Sequence, residues 1–240
     1  MAEKDKKEDK KKGGPPKGGA PKGGAERKAR KPKPQAVEET DGGDDVPGQP
    51  APPARLYERY RAEIIPALQQ KLGLGNAHAV PKLEKIVISM GLGRFAVEGG
   101  EGKAKFQQAE KELQTIAGQK PIRCKAKKSV ANFKVREGME TGVKVTLRGT
   151  RMYEFLDRMI TLAFPRVKDF RGIDPNGFDK SGNYNFGFTE QTVFPEVDGS
   201  AVTFQQGMNI TMVTKSGEPE HSRELLRQFG MPFRDSSKQT

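Results

Sequence analysis

The chain has 240 residues, with 43 Lys+Arg against 31 Asp+Glu, a formal net charge of +12 and only 33 % hydrophobic residues. That charge points to an anionic partner, although it speaks to association and not to fold. A single cysteine, Cys124, and two histidines, His78 and His221, exclude an intrachain disulfide and leave metal chemistry without its usual ligands. No apolar run approaches a membrane span. The opening MAEKDKKEDKKK lacks the apolar core of a secretory signal, and its acids argue against an organelle transit peptide.

Residues 1–54 contain no Ile, Leu or aromatic residue and hold nine Gly and nine Pro. Such a segment cannot bury enough apolar surface to offset the entropy of ordering it, so it is expected to be a disordered extension. Its lysines and arginines run up to Lys33, and Glu38, Glu39, Asp41, Asp44 and Asp45 follow. That layout suits a loose nucleic-acid contact or a solubilising linker. Residues 55–240 remain, enough for one domain with a sizeable core.

In that domain, Leu56, Tyr60, Ile64, Leu68 and Leu72 recur four apart and predict a helix, which Pro66 should kink or split and Gly73 should stop. Leu83 to Met90 alternates Ile86, Ile88 and Met90 with Val87 and Ser89, the period of a half-buried strand. A second helix is predicted over about 103–117 from Phe106, Ala109, Leu113 and Ile116, with Gly118 and Pro121 as stops. Strand-like segments follow at Ile122–Ala126, Asn132–Arg136 and Gly142–Arg148. Thr150 is a suitable N-cap for a helix carrying Tyr153, Leu156, Met159, Ile160 and Ala163, with Pro165 just beyond it. Residues 166–185 are rich in Gly, Asp and Asn and read as an extended loop, of a length that implies a function or ordering by a partner. A short strand near Ala201–Phe204, a strand at Asn209–Thr214 and a helix over Glu218–Phe229 complete the chain. The expected class is α+β: an antiparallel sheet with helices packed on one face, leaving the other face free for a ligand.

The densest charge lies in Lys120–Gly149. There Lys120, Arg123, Lys125, Lys127, Lys128, Lys134, Arg136, Lys144 and Arg148 stand against only Glu137 and Glu140. A cationic hairpin on a folded scaffold suits a phosphate backbone, because neutralising phosphates releases condensed counterions. Other patterns fail on inspection. Gly91-Leu-Gly93-Arg-Phe-Ala96 matches a dinucleotide glycine pattern after a strand, but Val97-Glu98-Gly99-Gly100 is a poor helix start and brings a carboxylate where a pyrophosphate would sit. Gly102-Lys103 is followed by Ala104 where a phosphate loop needs Ser or Thr. No nucleophile–base pair stands out, so no enzymatic activity and no cofactor are expected.

Several of these stretches together resemble one family. Leu113-Gln-Thr-Ile-Ala-Gly-Gln-Lys120-Pro-Ile-Arg-Cys-Lys125-Ala-Lys-Lys-Ser129 resembles the signature of bacterial-type large-subunit ribosomal protein L-five. Val80-Pro-Lys-Leu-Glu-Lys85-Ile-Val-Ile-Ser89-Met-Gly-Leu-Gly93 resembles its first strand. Val145-Thr-Leu-Arg148-Gly149, Pro165-Arg166-Val-Lys168-Asp-Phe170-Arg171-Gly172, Gly182-Asn-Tyr184, Glu190-Gln191, Phe194-Pro-Glu196 and the closing Phe229 to Phe233 also fit. The match is collinear from about Leu56 to Arg234, so residues 1–54 form an added extension.

That resemblance implies a non-catalytic, ribosome-bound cytoplasmic protein that binds 5S rRNA and helps attach it to the central protuberance near 23S rRNA. It also implies a contact with P-site tRNA and an intersubunit bridge to the small-subunit head protein S-thirteen. Lys82, Lys85, Ser89, Met90, Gly91, Gly93, Lys125, Lys127 and Arg148 are then the expected 5S rRNA residues, the strand presenting small groups and accessible backbone. Lys128, Ser129, Asn132, Phe133, Lys134 and Arg136 fall in the expected tRNA-contacting loop, where Phe133 either stacks on the RNA or anchors the loop, the anchor being favoured by apolar Ala131 and Val135 on either side. Arg166, Lys168 and Arg171 are expected at the bridge or on rRNA, with Phe170 a structural plug. Ser89 stands where the family commonly has Asn, and Asn132 where it commonly has Gly. The second change is compatible with a left-handed turn, which Asn accepts better than most residues. The rival reading is a free-standing RNA- or DNA-binding regulator using the same basic sheet.

Overall fold

The computed structural model describes residues 53–234, so the expectations for the extension fall outside the described residues. Its centre is a five-stranded, wholly antiparallel sheet in the order β2-β3-β1-β5-β4. The strands are β1 (Lys82–Gly91), β2 (Ile122–Lys125), β3 (Glu140–Leu147), β4 (Tyr184–Phe188) and β5 (Met208–Lys215). Strict alternation sorts their side chains. Ile86, Ile88 and Met90 of β1, Val143, Val145 and Leu147 of β3 and Ile210 and Met212 of β5 are all buried. Each such side chain contributes about 1.5–3 kcal/mol through burial.

That inner face is covered by helices. α4 (Gly100–Ala117) lays Phe106, Ala109, Leu113 and Ile116 inward, and α5 (Gly149–Arg158) adds Met152, Tyr153, Phe155 and Leu156. α7 (Pro219–Gln228) supplies Leu225 and Leu226. Tyr57, Tyr60, Tyr153 and Phe229 form one aromatic cluster, with ring centroids 5.2–6.3 Å apart, joining the N-terminal helix to α5 and the end of α7. The expected α+β class with helices on one sheet face is what the chain adopts.

Pro66 neither splits nor ends its helix. α1 (Arg55–Arg59) widens into a π-helical turn, Tyr60–Ile64, and continues as α2 (Ile65–Leu72). The same device recurs where α5 passes through a π turn, Met159–Ala163, into α6 (Phe164–Arg166), carrying the helix through Pro165. In each case the N–H just before the proline reaches back five residues, Ile65 to the Tyr60 carbonyl and Phe164 to that of Met159. Proline has no N–H and its ring crowds the carbonyl four residues back, so a wider turn relieves both problems.

Other expectations need correction. Tyr184–Phe188 is an edge strand and not part of a loop. Asn132–Arg136 is not a strand: Ala131–Phe133 is a 3-10 turn, and only the Val130–Val135 bridge remains. Ala201–Phe204 is irregular. Thr150 caps nothing, because α5 starts at Gly149 with Arg148 in the cap position. A short helix, α3 (Gly93–Val97), does begin after β1, but the sheet has no parallel pair, so the βαβ unit that a dinucleotide site requires is missing among the described residues.

The long 167–183 segment is ordered by its own chain. Ile173 exchanges backbone hydrogen bonds with Pro232 and Arg234. Asp179 accepts from the Ser181 and Asn183 N–H groups and the Asn183 side chain, and Thr214 donates to the Gly182 carbonyl.

Candidate nucleic-acid interface

Among the described residues no helix covers the outer face of the sheet, and the residues on that face follow from the register. Across its middle, Ile122, Lys144, Ser89, Asn209 and Gly187 stand side by side from β2 to β4. The next row holds Thr146, Val87, Thr211 and Asn185, and on the other side Cys124, Gly142 and Gly91 are aligned. Five strands about 4.8 Å apart, rising about 3.3 Å per residue, make a surface on the order of 20 by 30 Å. Small hydroxyls, amides and glycines occupy its centre, so a rigid partner can approach the backbone closely. A Cβ on Gly142 would lie 2.7 Å from the Met90 carbonyl oxygen, which makes the β1–β3 contact itself glycine-dependent.

Lys144 stands within that centre, and further cations lie around it. Lys82, Lys85 and Lys144 project on the outer side, and exposed Arg148 follows β3. Lys144 and Lys82 make no ion pair among the described residues, whereas Lys85 lies 3.9 Å from Glu84. Ser89 and Gly91 occupy the outer face as expected, the Gly91 carbonyl also accepting from the Gln206 side chain. Met90 does not: its side chain points into the core at 2 % exposure, because it is one strand position out of phase with Ser89. Gly93 opens α3 and lies beyond the sheet.

Lys125 is one strand position out of phase with Cys124, so it leaves the outer face and lines a groove of about 440 Å³ with Lys103, Phe95 and Phe106. Arg123 belongs to that helix side too. Its guanidinium is shared between Glu110 at 2.6 Å and Glu140 at 3.2 Å, which raise its pKa further and leave it occupied within the fold.

The β2–β3 connection is a closed loop. The Ala126 N–H donates to the Met139 carbonyl and that of Gly138 to Ala126, while Val130 and Val135 exchange two backbone hydrogen bonds nearer the tip. The Ser129 hydroxyl accepts from the Glu137 N–H at 2.9 Å, so its first role is to brace the loop. Lys127, Lys128, Asn132, Lys134 and Arg136 are exposed around it. Two expectations fail here. Phe133 anchors nothing: it is 74 % exposed at the tip. At the loop tip the left-handed residue is Lys134, at φ 53°, and not Asn132, which sits inside the 3-10 turn.

Arg166, Lys168 and Arg171 are exposed at the opposite edge of the sheet, after α6, whose Phe164 packs against Phe186 and Phe188 of β4. Phe170 is half plug and half surface, stacked on Phe164 at 5.2 Å yet 36 % exposed. Apart from Met90, Gly93 and Lys125, the expected residues therefore fall in three zones: a sheet face, a loop at one edge and a basic segment at the other. Sequence reasoning counts Lys144 in the basic stretch without placing it on this face, and it passes over Thr146, Asn209 and Thr211. Their strand alternation is the available signal.

Comparison with known proteins identifies the family. Residues 76–136 match the family described as ribosomal protein L5, and residues 140–233 match the description of that ribosomal family's C-terminus. The chain is 54 % identical over 180 residues to the large ribosomal subunit protein uL5 of Alkaliphilus metalliredigens, covering 75 % of this chain and 98 % of that protein. It is 53 % identical over 182 residues to uL5 of Moorella thermoacetica (76 % and 99 % covered) and 52 % identical over 179 residues to uL5 of Thermosipho africanus (75 % and 97 % covered). The family consists of structural ribosomal proteins and not enzymes, which sets aside both the dinucleotide reading and the free-standing regulator. Family matches that together span nearly all of the described domain, and relatives more than half identical over almost their whole length, lead to one conclusion: the chain belongs to the uL5 family of large-subunit ribosomal proteins.

Proposed function

We propose that this ribosomal protein binds 5S rRNA on the outer face of its sheet and helps hold it in the central protuberance beside 23S rRNA in the cytoplasmic ribosome. The observation that carries this reading is the face itself: a large, rigid surface of small polar groups and lysines, with no helix over it among the described residues. Sheet-face recognition of this kind works through shape, 2′-hydroxyls and phosphates, and base readout is secondary. Ser89, Asn209, Thr211 and Thr146 supply short hydrogen-bonding groups for a close ribose edge, and Lys144, Lys85 and Lys82 supply charge. The 126–139 loop, with Lys127, Lys128, Lys134 and Arg136 around an exposed Phe133, suits the P-site tRNA. The Arg166–Lys168–Arg171 segment, at the far edge of the sheet, suits the bridge to the head protein S-thirteen.

The test is a filter-binding titration with 5S rRNA over a range of salt. Lys144→Glu removes a cation from the middle of the face without touching the core. It should weaken binding and flatten the salt dependence by about 0.9 for each phosphate no longer neutralised. Identical affinity and slope in this variant would remove the basis for RNA binding on this face.

A further inference from the structure

We propose that the β1/β5 end of the face holds a second grip on RNA, a phosphate-binding cleft built from Lys82, Lys215 and His78. This rests on the reading that the outer face binds RNA, and it adds Lys215 and His78, to which no sequence pattern points. Lys82 and Lys215 are direct partners across the β1–β5 pair. Like charges directly opposite each other on neighbouring strands repel and destabilise the sheet. Here nothing relieves them: among the described residues neither takes part in an ion pair, Glu84 is turned to Lys85 at 3.9 Å, and Glu218 faces His221 at 3.3 Å.

The strand ends are also held firmly. Thr214, next to Lys215, is buried, donates to the Gly182 carbonyl at 2.7 Å and shares a hydrogen bond with Ser222. On the opposite wall the 3-10 turn Ala77–Ala79 carries His78, its N–H held by the Asn76 side chain at 2.9 Å. Between the two walls lies an open cleft of about 580 Å³. Two lysines on firmly held, directly paired strand positions, with no acid partner among the described residues and an imidazole across the cleft, suit a tetrahedral oxyanion. Because Lys82 shares its face with Lys85 and Ser89, the phosphate is that of an RNA backbone lying across the sheet. An RNA strand gripped here and near Lys144 is fixed in direction as well as in position.

The experiment measures 5S rRNA binding to the full chain between about 50 and 200 mM salt, with Lys215→Gln, His78→Gln and the Lys82→Gln/Lys215→Gln double variant alongside Lys144→Glu. Removing one phosphate contact should lower the double variant's slope by about 0.9 and its affinity by about eightfold near 0.1 M salt. Lys215→Gln should show part of that effect and His78→Gln a smaller one, with thermal unfolding unchanged or slightly raised as repulsion is relieved. Full affinity and an unchanged slope in the double variant, with Lys144→Glu still weakened, would overturn the cleft alone. If Lys144→Glu also binds normally, the RNA-face reading falls and takes the cleft with it.

Discussion

Truncating Phe133 separates two roles that the sequence alone leaves confounded. A phenylalanine side chain carries roughly 200 Å² of surface. At 74 % exposure, only about a quarter of that is covered by the fold. Roughly 50 Å² at about 25 cal/mol per Å² comes to about 1.3 kcal/mol, and less once the local contacts of the unfolded chain are allowed for. A packed anchor would cost about 3–5 kcal/mol on truncation to alanine. A domain of this size shifts by about 2–4 °C per kcal/mol, so Phe133→Ala should lower Tm by less than about 5 °C, where an anchor would lower it by about 6 °C or more. If the ring stacks on tRNA, the effect should instead appear in P-site binding. Removing one base–aromatic stack costs about 1–3 kcal/mol, which corresponds to about 5- to 150-fold in affinity. The assays are circular-dichroism melting of the isolated protein and tRNA binding to large subunits reconstituted with each variant, with Phe133→Trp expected to retain binding. A large drop in Tm would refute the exposed-tip argument. A normal Tm with undiminished tRNA binding would refute the stacking role.

Two further perturbations probe the scaffold. Gly142→Ala places a methyl 2.7 Å from the Met90 carbonyl oxygen in the middle of the sheet, where neither strand can yield, and should cost about 1–3 kcal/mol in urea unfolding; an unchanged midpoint would mean that the β1–β3 pair flexes. Burial alone would raise the Glu224 carboxyl, but Lys71 at 2.6 Å, with Gln228 and Arg227, holds it below its usual range. A depressed carboxyl contributes stability above its ordinary pKa and loses it as pH falls through the folded value. Lys71→Met should therefore destabilise the α2–α7 contact by about 1 kcal/mol near neutral pH, given the exposure of the lysine, and by progressively less in acid. A gap between variant and wild type that persists at low pH would rule out the ion pair as its source.

Much of this architecture is legible in local pattern. β1 declares itself because Ile86, Ile88 and Met90 alternate with Val87 and Ser89, and α4 because Phe106, Ala109, Leu113 and Ile116 share one side. The alternation that reveals β1 also rules out the Met90 side chain as an RNA contact, since an inward Ile88 requires an inward Met90. β4 is legible too: Tyr184, Phe186 and Phe188 alternate with Asn185 and Gly187, but the Gly- and Asp-rich run before it hides the strand. What local pattern does not supply is register. Lys144 and Asn209 flank Ser89 only because β3 and β5 lie on either side of β1, a long-range choice with no local signature. Phe133 misleads because flanking Ala131 and Val135 suggest packing, whereas the closed loop carries the ring outward at its tip.

The central position of β1 also sets when the sheet can be completed. Ser89 meets its neighbour Asn209 only after most of the chain has been synthesised, because β5 is the last strand to be made. Contacts between such distant parts of a chain form slowly and late. During translation β1 therefore emerges with one of its edges bare, and a nascent chain has neither a finished sheet nor a complete landing surface. On the RNA-binding reading proposed above, capture by this face would wait until β5 has been made, because Asn209 and Thr211 join the surface only then.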